Sequence, residues 1–440
     1  MFAVQAGVVS GSGGVREAGS SNAGARRRRR WRSALVLATV LYAGSATGAS
    51  AQQVAGVNVN TLDIWNSSSP PGGYAYLQLE YAAILGAREV RTAIRWNQLE
   101  PNAQGAYDPA YLSEIDQVVG WANSLGIKPL FVVLGTPCWA SSAPAAITQG
   151  CADTSAGDGY PPTDDRYFAE AMSLLAQRYG ANVAGWEIWN EPNLGYFWNS
   201  SDPAGDYVKL IQAAYPAIKQ VSSAPVLGGA VSLSDYDFVN ALYADGIEGN
   251  FDALSIHPYS FNDSPLTPGT LSYYGGPASS FSDGVPAVHD VMLRHGDSRQ
   301  MWLTEFGWPT SSNGVDPATQ ATYVSEAYTQ MQAWPYVQAG FYYELQDSGT
   351  DPADSQQNYG LLRNDGSQKP SAAAFQQMAT ATTVSASSPA PSHTTIAAAP
   401  ARTTGSAAPS QPPGGVPTAG ASVTSGSARH PPRLPRHAAD

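Results

Sequence analysis

Eight apolar runs of five to seven residues, set apart by longer stretches with helical spacing, constrain the fold of this 440-residue chain most. They cover residues 54–59, 89–94, 128–134, 183–189, 225–229, 253–257, 301–305 and 339–343, and read as buried strands. Amphipathic stretches lie between them, among them 111–124, 165–179, 317–333 and, at the end, 372–379. Asp108-Pro109 and Asp316-Pro317 fit the cap and first position of helices. Eight strands alternating with helices predict an α/β chain closed as a (β/α)8 barrel. The rival is a doubly wound open sheet. No glycine-rich phosphate loop follows the first strand, so neither that fold nor a nucleotide cofactor gains support.

Both ends depart from this pattern. Arginines at 26–30 and 32 precede an apolar run over 34–41, and Ala49-Ser50-Ala51 supplies a small-residue cleavage site. Residues 1–51 therefore read as an export segment cut near Ala51, which implies a secreted protein. The apolar run falls well short of the roughly 20 residues a membrane helix needs, so no span is expected in the mature chain. From 382 to 440 the chain is almost entirely Ser, Thr, Ala, Pro and Gly. Such a segment buries too little apolar surface to offset its ordering entropy, and reads as a disordered tail or wall-spanning spacer. A single folded domain over 52–381 is left.

Charge narrows the partners of that domain. Seven Arg against one Glu precede residue 52, and four Arg against one Asp follow 381, so the net −12 of the whole chain conceals −21 in the domain. So acidic a surface repels phosphate backbones, and nucleic acid is excluded as a partner. Cys138 and Cys151 stand in one Gly/Pro/Ser-rich loop. In an exported chain they are expected to form a disulfide, with a pair of free thiols as the alternative. The six histidines are scattered, three of them in the tail, and no metal-ligand cluster is read from their spacing.

Strand ends carry the chemistry. Trp189-Asn190-Glu191-Pro192 closes the fourth run, and Thr304-Glu305-Phe306-Gly307 closes the seventh, 114 residues later. Carboxylates at the C-terminal ends of barrel strands point into a site rather than a core. Two of them are the groups that acid-assisted cleavage of a glycosidic bond requires, one protonated to help the leaving oxygen and one ionised to attack. Arg91 on the second run would favour the ionised form, together with a Tyr hydroxyl. Asn190 is placed to bond a sugar hydroxyl. His257 and Tyr259 end the sixth run in His257-Pro258-Tyr259. Trp139 and Trp308 follow strands and are candidates for stacking on sugar rings, with core packing as the other reading. Tyr342 on the eighth run is a further aromatic candidate, again against core packing. Arg95 and Glu187 alternate to the opposite faces and read as structural pairing.

These motifs resemble those of the clan of retaining glycoside hydrolases built on (β/α)8 barrels. Glu187-Ile188-Trp189-Asn190-Glu191-Pro192-Asn193, Tyr343-Glu344-Leu345-Gln346-Asp347 and Tyr359-Gly360-Leu361-Leu362 are most similar to family 39, with family 5 close behind. The resemblance spans residues 54–378. It implies Glu191 as acid/base and Glu305 as nucleophile, with Arg91, Asn190, His257 and Tyr259 in the site. The clan often carries Trp on strand eight, where Tyr342 stands. A poly- or oligosaccharide is the expected partner, and no cofactor is implied. Transglycosylation and noncatalytic carbohydrate binding are the competing readings.

Overall fold

The computed structural model describes residues 53–60, 62, 72–269 and 280–384. The expected export segment over 1–51 lies outside these residues, as does the expected tail beyond 384. Eight parallel strands close into one barrel in chain order: β1 (Val54–Asn58), β2 (Glu89–Arg95), β3 (Lys128–Leu134), β4 (Gly185–Ile188), β5 (Val226–Ser232), β6 (Ala253–His257), β7 (Met301–Phe306) and β8 (Val337–Tyr342). The ring shuts where β1 meets β8, with Val54 opposite Ala339 and Val57 opposite Tyr342. The expected (β/α)8 architecture is what the chain adopts.

Ten helices accompany the strands among the described residues: α1 (Gly73–Ile84), α2 (Trp96–Leu99), α3 (Pro109–Ser124), α4 (Ala145–Thr148), α5 (Asp165–Tyr179), α6 (Pro203–Lys219), α7 (Tyr236–Ala244), α8 (Phe281–Arg294), α9 (Pro317–Gln332) and α10 (Pro370–Val384). α10 runs three residues past the expected boundary at 381. Acidic caps start several helices. Asp108 accepts from the backbone N–H groups of Ala110 and Tyr111, and Asp316 from those of Ala318 and Thr319. Each carboxylate satisfies N–H groups that the helix leaves open and meets the positive end of its dipole. Among the described residues no helix is long and apolar enough to cross a membrane.

The core has two parts. Leu130, Ala184, Leu227, Ala253, Trp302, Ala339 and Phe341 form a cluster that fills the barrel interior, with Trp302 stacked on Phe341 at 6.0 Å. A larger cluster packs strands against helices. In it Phe168, Trp189, Trp198 and Tyr207 make a continuous run of edge-on rings, 6.0, 4.8 and 6.4 Å apart. Such buried aromatics each remove 150–250 Å² from water.

The ends of β4 and β5 depart from their sequence pattern where the backbone bends. β4 stops at Ile188, because Trp189 takes a left-handed φ of 67°. β5 continues to Ser232 through a register shift between Gly228 and Val231. Gly229 sits there at φ 107°, and a Cβ would lie 2.5 Å from the Ser255 carbonyl oxygen, so only glycine fits the bend.

Candidate active site

The end of β4 is folded sharply to present its polar residues. Trp189 and Glu191 both hold positive φ, 67° and 45°, a conformation side chains other than glycine rarely adopt. What holds them is packing and hydrogen bonding. The Trp189 indole is buried against Phe168 and Trp198, and its Nε1–H donates to the Phe197 carbonyl at 2.9 Å. The Glu191 N–H donates to the Ala230 carbonyl at 2.8 Å, on the bent part of β5. Strain of this kind collects at functional sites.

Arg91 organises the floor. Its Nε donates to Glu187 Oε2 at 2.6 Å, and Nη1 donates to Glu305 Oε1 at 2.5 Å and to Asn58 Oδ1 at 3.0 Å. Nη2 donates to Asn190 Oδ1 at 2.8 Å. A guanidinium presents its donors in a fixed plane, so these four contacts position four strands relative to one another. Asn58 is itself tied across the barrel, donating to the Thr304 carbonyl at 3.0 Å.

The two strand-end glutamates converge. His257 Nδ1 lies 3.0 Å from Glu191 Oε1 and 3.7 Å from Glu305 Oε1. One oxygen of each glutamate and a ring nitrogen of His257 all fall within 4.8 Å of one another. Tyr259 donates its hydroxyl to Glu305 Oε2 at 2.8 Å. Burial pushes the Glu305 carboxyl up, but the charges of His257 and Arg91 and the hydrogen bonds from Tyr259 and Arg91 outweigh it and hold it below the usual range. Burial likewise pushes His257 down, and Glu305 together with the bond to Glu191 reverses that, leaving the ring raised. Tyr259 is driven well up by burial and by Glu305, so it keeps its proton to donate.

Glu191, His257 and Glu305 have the atoms to ligate a cation. Arg91 already occupies that role electrostatically, 2.5 Å from Glu305 and 3.5 Å from His257 Nε2. An added metal would sit against a buried guanidinium, so the donor set suits an ion pair better than an ion.

Three aromatic candidates stand elsewhere than expected. Trp308 is buried rather than lining a subsite: its Nε1–H donates to the Asp263 carbonyl at 2.9 Å, and its ring packs on Tyr323. Tyr342 is buried too, edge-on to Phe306, with its hydroxyl donating to the Tyr359 carbonyl at 3.1 Å. The pleat explains it, because Phe341 points into the barrel and its neighbour must point out. Trp139 is half-buried. Its indole N–H donates to the Glu100 carbonyl at 2.8 Å, and its ring meets Trp96 and Tyr167. It anchors the loop after β3, which the Cys138–Cys151 disulfide also ties.

The residue that takes the place intended for Tyr342 is Tyr343, one pleat further on, whose ring centroid lies 6.2 Å from Tyr259 and 5.5 Å from Tyr359. Gly307 permits this approach, since a Cβ there would run into the Tyr343 carbonyl. Asn58, Glu187, Tyr343 and Tyr359 are the neighbours that motif reading missed. Glu187 does pair structurally, as expected, but with Arg91 on the floor of the site rather than on an opposite face, and pleat alternation was the available signal for Tyr343. Tyr359 stands in the quoted Tyr359-Gly360-Leu361-Leu362 motif without a role read for it, and nothing local marks Asn58.

Comparison with known proteins follows the same lines. Residues 46–340 match the family model described as Cellulase (glycosyl hydrolase family 5). A β-xylosidase from Caldicellulosiruptor saccharolyticus is 33% identical over 131 residues, 28% of this chain and 25% of that protein. The chain thus spans about a quarter of the length of that curated relative. A family 39 glycoside hydrolase from Bacteroides cellulosilyticus WH2 superposes with a TM-score of 0.59 at 25% identity, over 75% of this chain and 64% of that one. The exo-β-1,4-mannosidase Op5Man5 from an Opitutaceae bacterium, strain TAV5, superposes with a TM-score of 0.58 at 17% identity, over 77% and 61% of the two chains. The clan expected from the motifs holds, with the family 39 likeness carried by the backbone, and the chain belongs to the Cellulase family, glycosyl hydrolase family 5.

Proposed function

We propose that the protein is an exported glycosidase that cleaves a poly- or oligosaccharide with retention of anomeric configuration. Glu305 attacks the anomeric carbon while the bond to the leaving oxygen breaks, and that oxygen takes the proton of Glu191. Water then attacks the same carbon and gives a proton to Glu191, and the bond to Glu305 breaks. One observation carries the reading. Glu305 is held ionised by Arg91, His257 and Tyr259, with an oxygen of Glu191 within 4.8 Å. That short separation suits direct attack, because inverting enzymes hold their carboxyls about 6.5–9.5 Å apart to admit a water.

Several supports are weaker but independent. The relatives named β-xylosidase and exo-β-1,4-mannosidase favour a β-linked substrate. Export draws support from the arginine-led apolar run before residue 51 and from the Cys138–Cys151 disulfide, which persists in oxidising compartments. The Ser/Thr/Ala/Pro-rich composition from 382 onward suits a wall-spanning spacer, which favours action on a surface glycan.

The direct test is Glu305→Gly. Turnover of an aryl β-glycoside should fall by about 10⁴-fold or more, and azide should restore part of it as the glycosyl azide of inverted configuration. An unchanged rate, or release of the inverted sugar by the intact enzyme, sinks the proposal.

A further inference from the structure

Arg91 carries one positive charge, and two carboxylates bond it. Glu187 Oε2 accepts from Nε at 2.6 Å, and Glu305 Oε1 accepts from Nη1 at 2.5 Å. The remaining N–H groups go to the amide oxygens of Asn58 at 3.0 Å and Asn190 at 2.8 Å, with His257 Nε2 3.5 Å from Nη2. Burial pulls the guanidinium down, and Glu187, followed by Glu305, more than reverses it. Of the two acids that share this charge, Glu187 has the stronger hold.

Only Glu305 has a part in the chemistry proposed above. Glu187 is fully buried, and its Oε1 has no hydrogen-bond partner among the described residues. Tyr207, the titratable neighbour from α6, has its hydroxyl engaged elsewhere: it donates to the Ile188 carbonyl at 2.8 Å and accepts from the Gly229 N–H at 2.9 Å. A neutral amide at this position would brace the fold equally well, since its oxygen accepts the same N–H bond. Burying a carboxylate with one oxygen unbonded is costly. What the acid adds over the amide is its charge.

That charge changes the balance at Glu305. Paired with Arg91 alone, Glu305 would be a neutralised carboxylate, a weaker nucleophile that offers little field to a cationic sugar. With Glu187 on the same guanidinium, the three groups together carry one negative charge in excess. The positive charge that develops at the anomeric carbon meets it. The other groups facing Glu305 are Glu191 from the end of β4, His257 and Tyr259 from the end of β6, and Tyr343, Glu344 and Tyr359 after β8. Arg91 Nε goes to Glu187 and not to them.

We propose that Glu187 is a positioning residue that acts through Arg91: it holds part of the guanidinium's charge back from Glu305, which leaves the nucleophile charged enough to attack. The proposal rests on the retaining reading above, which makes Glu305 that nucleophile.

Glu187→Gln keeps the shape and the N–H bond and removes the charge. The acid limb of kcat/KM reports the essential base of the free enzyme. With one like charge fewer nearby, that limb should move down by about one pH unit in Glu187→Gln. kcat/KM at the optimum, measured with the aryl β-glycoside of the Glu305→Gly test, should fall about tenfold, the factor to which one pKa unit corresponds. Glu187→Asp restores the charge and should return the limb towards its parent position. Asn58→Asp adds a carboxylate at Nη1 of the same guanidinium and should move the limb up, which decides the matter if Glu187→Gln folds poorly. A limb that does not fall in Glu187→Gln overturns the proposal, as does one that does not rise in Asn58→Asp. Carbon NMR of protein labelled at glutamate Cδ follows the Glu305 carboxyl without turnover. The anomer first released by the parent enzyme tests the retaining reading alone. Retention with an unmoved limb removes the role of Glu187 and leaves the mechanism. Inversion with a lowered Glu305 titration leaves the hold of Glu187 on Glu305 and removes the nucleophile.

Discussion

Arg91 holds Glu187, Asn58, Glu305 and Asn190 at once, so charge balance at the floor depends on which carboxylates remain ionised. In the covalent intermediate proposed above, Glu305 becomes an ester and loses its charge. Glu187 then remains as the carboxylate neutralising the guanidinium. The same step removes the largest influence raising His257, which favours a neutral ring beside Glu191 as that residue turns from acid to base. In the mechanism proposed above, Glu191 acts only where a proton must be moved. Glu191→Ala should therefore slow hydrolysis of poorly activated glycosides by about 10²–10⁴-fold, and that of dinitrophenyl glycosides far less in the first step. Rates measured across a series of phenol leaving groups check this. A uniform loss across the series would assign Glu191 another role.

At the scale of elements, the caps account for where helices begin. Asp316 donates no proton and accepts from Ala318 and Thr319 N–H, far from either glutamate in function. Asp316→Ala should cost about 1 kcal/mol of stability with kcat unchanged, read as a small fall in Tm. Loss of activity without loss of stability would contradict this. Elements of this kind were legible in the sequence, since Asp-Pro starts and apolar runs are local signals. The ends of strands were less so. Tyr342 and Tyr343 are adjacent tyrosines, and only knowing that Phe341 stacks on Trp302 of the neighbouring strand, inside the barrel, decides which of them reaches the site. Trp308 has the same difficulty. Its place in a loop after a strand suggests a platform, yet the Asp263 carbonyl captures its N–H and seals it in. Glu191 and Glu305 were expected at strand ends, and the structure brings an oxygen of each close to His257, while Asn58 is an ordinary strand residue until the barrel brings Arg91 beside it.

Among the described residues, two glutamates that make no bond to Arg91 have their carboxyls pushed up furthest. Glu344 is pushed up to about 8, chiefly by burial, with Asn60 donating to its Oε2 and Asp347 nearby; Glu89 is pushed up to about 7, again by burial. Below the ordinary value near 4.5 both are protonated, folded or not. Between that value and about 8 the folded chain keeps protons that the unfolded chain has released, so stability falls as pH rises through this window. Glu344→Gln mimics the protonated form. Its Tm should decline less between pH 5 and pH 8 than that of the parent protein, and parallel slopes would refute the assignment.

The seam between β1 and β8 joins segments about 280 residues apart, and Asn58 on one side of it bonds both Arg91 and the carbonyl of Thr304. During synthesis, therefore, the first strand waits as an unpaired edge until almost the entire barrel has emerged, exposed to other chains throughout. The arginine that holds Glu305, the proposed nucleophile, is braced only when that seam shuts. A half-zipped barrel would hold much of the sheet and none of the catalysis, so recovery of activity on refolding should lag behind recovery of secondary structure.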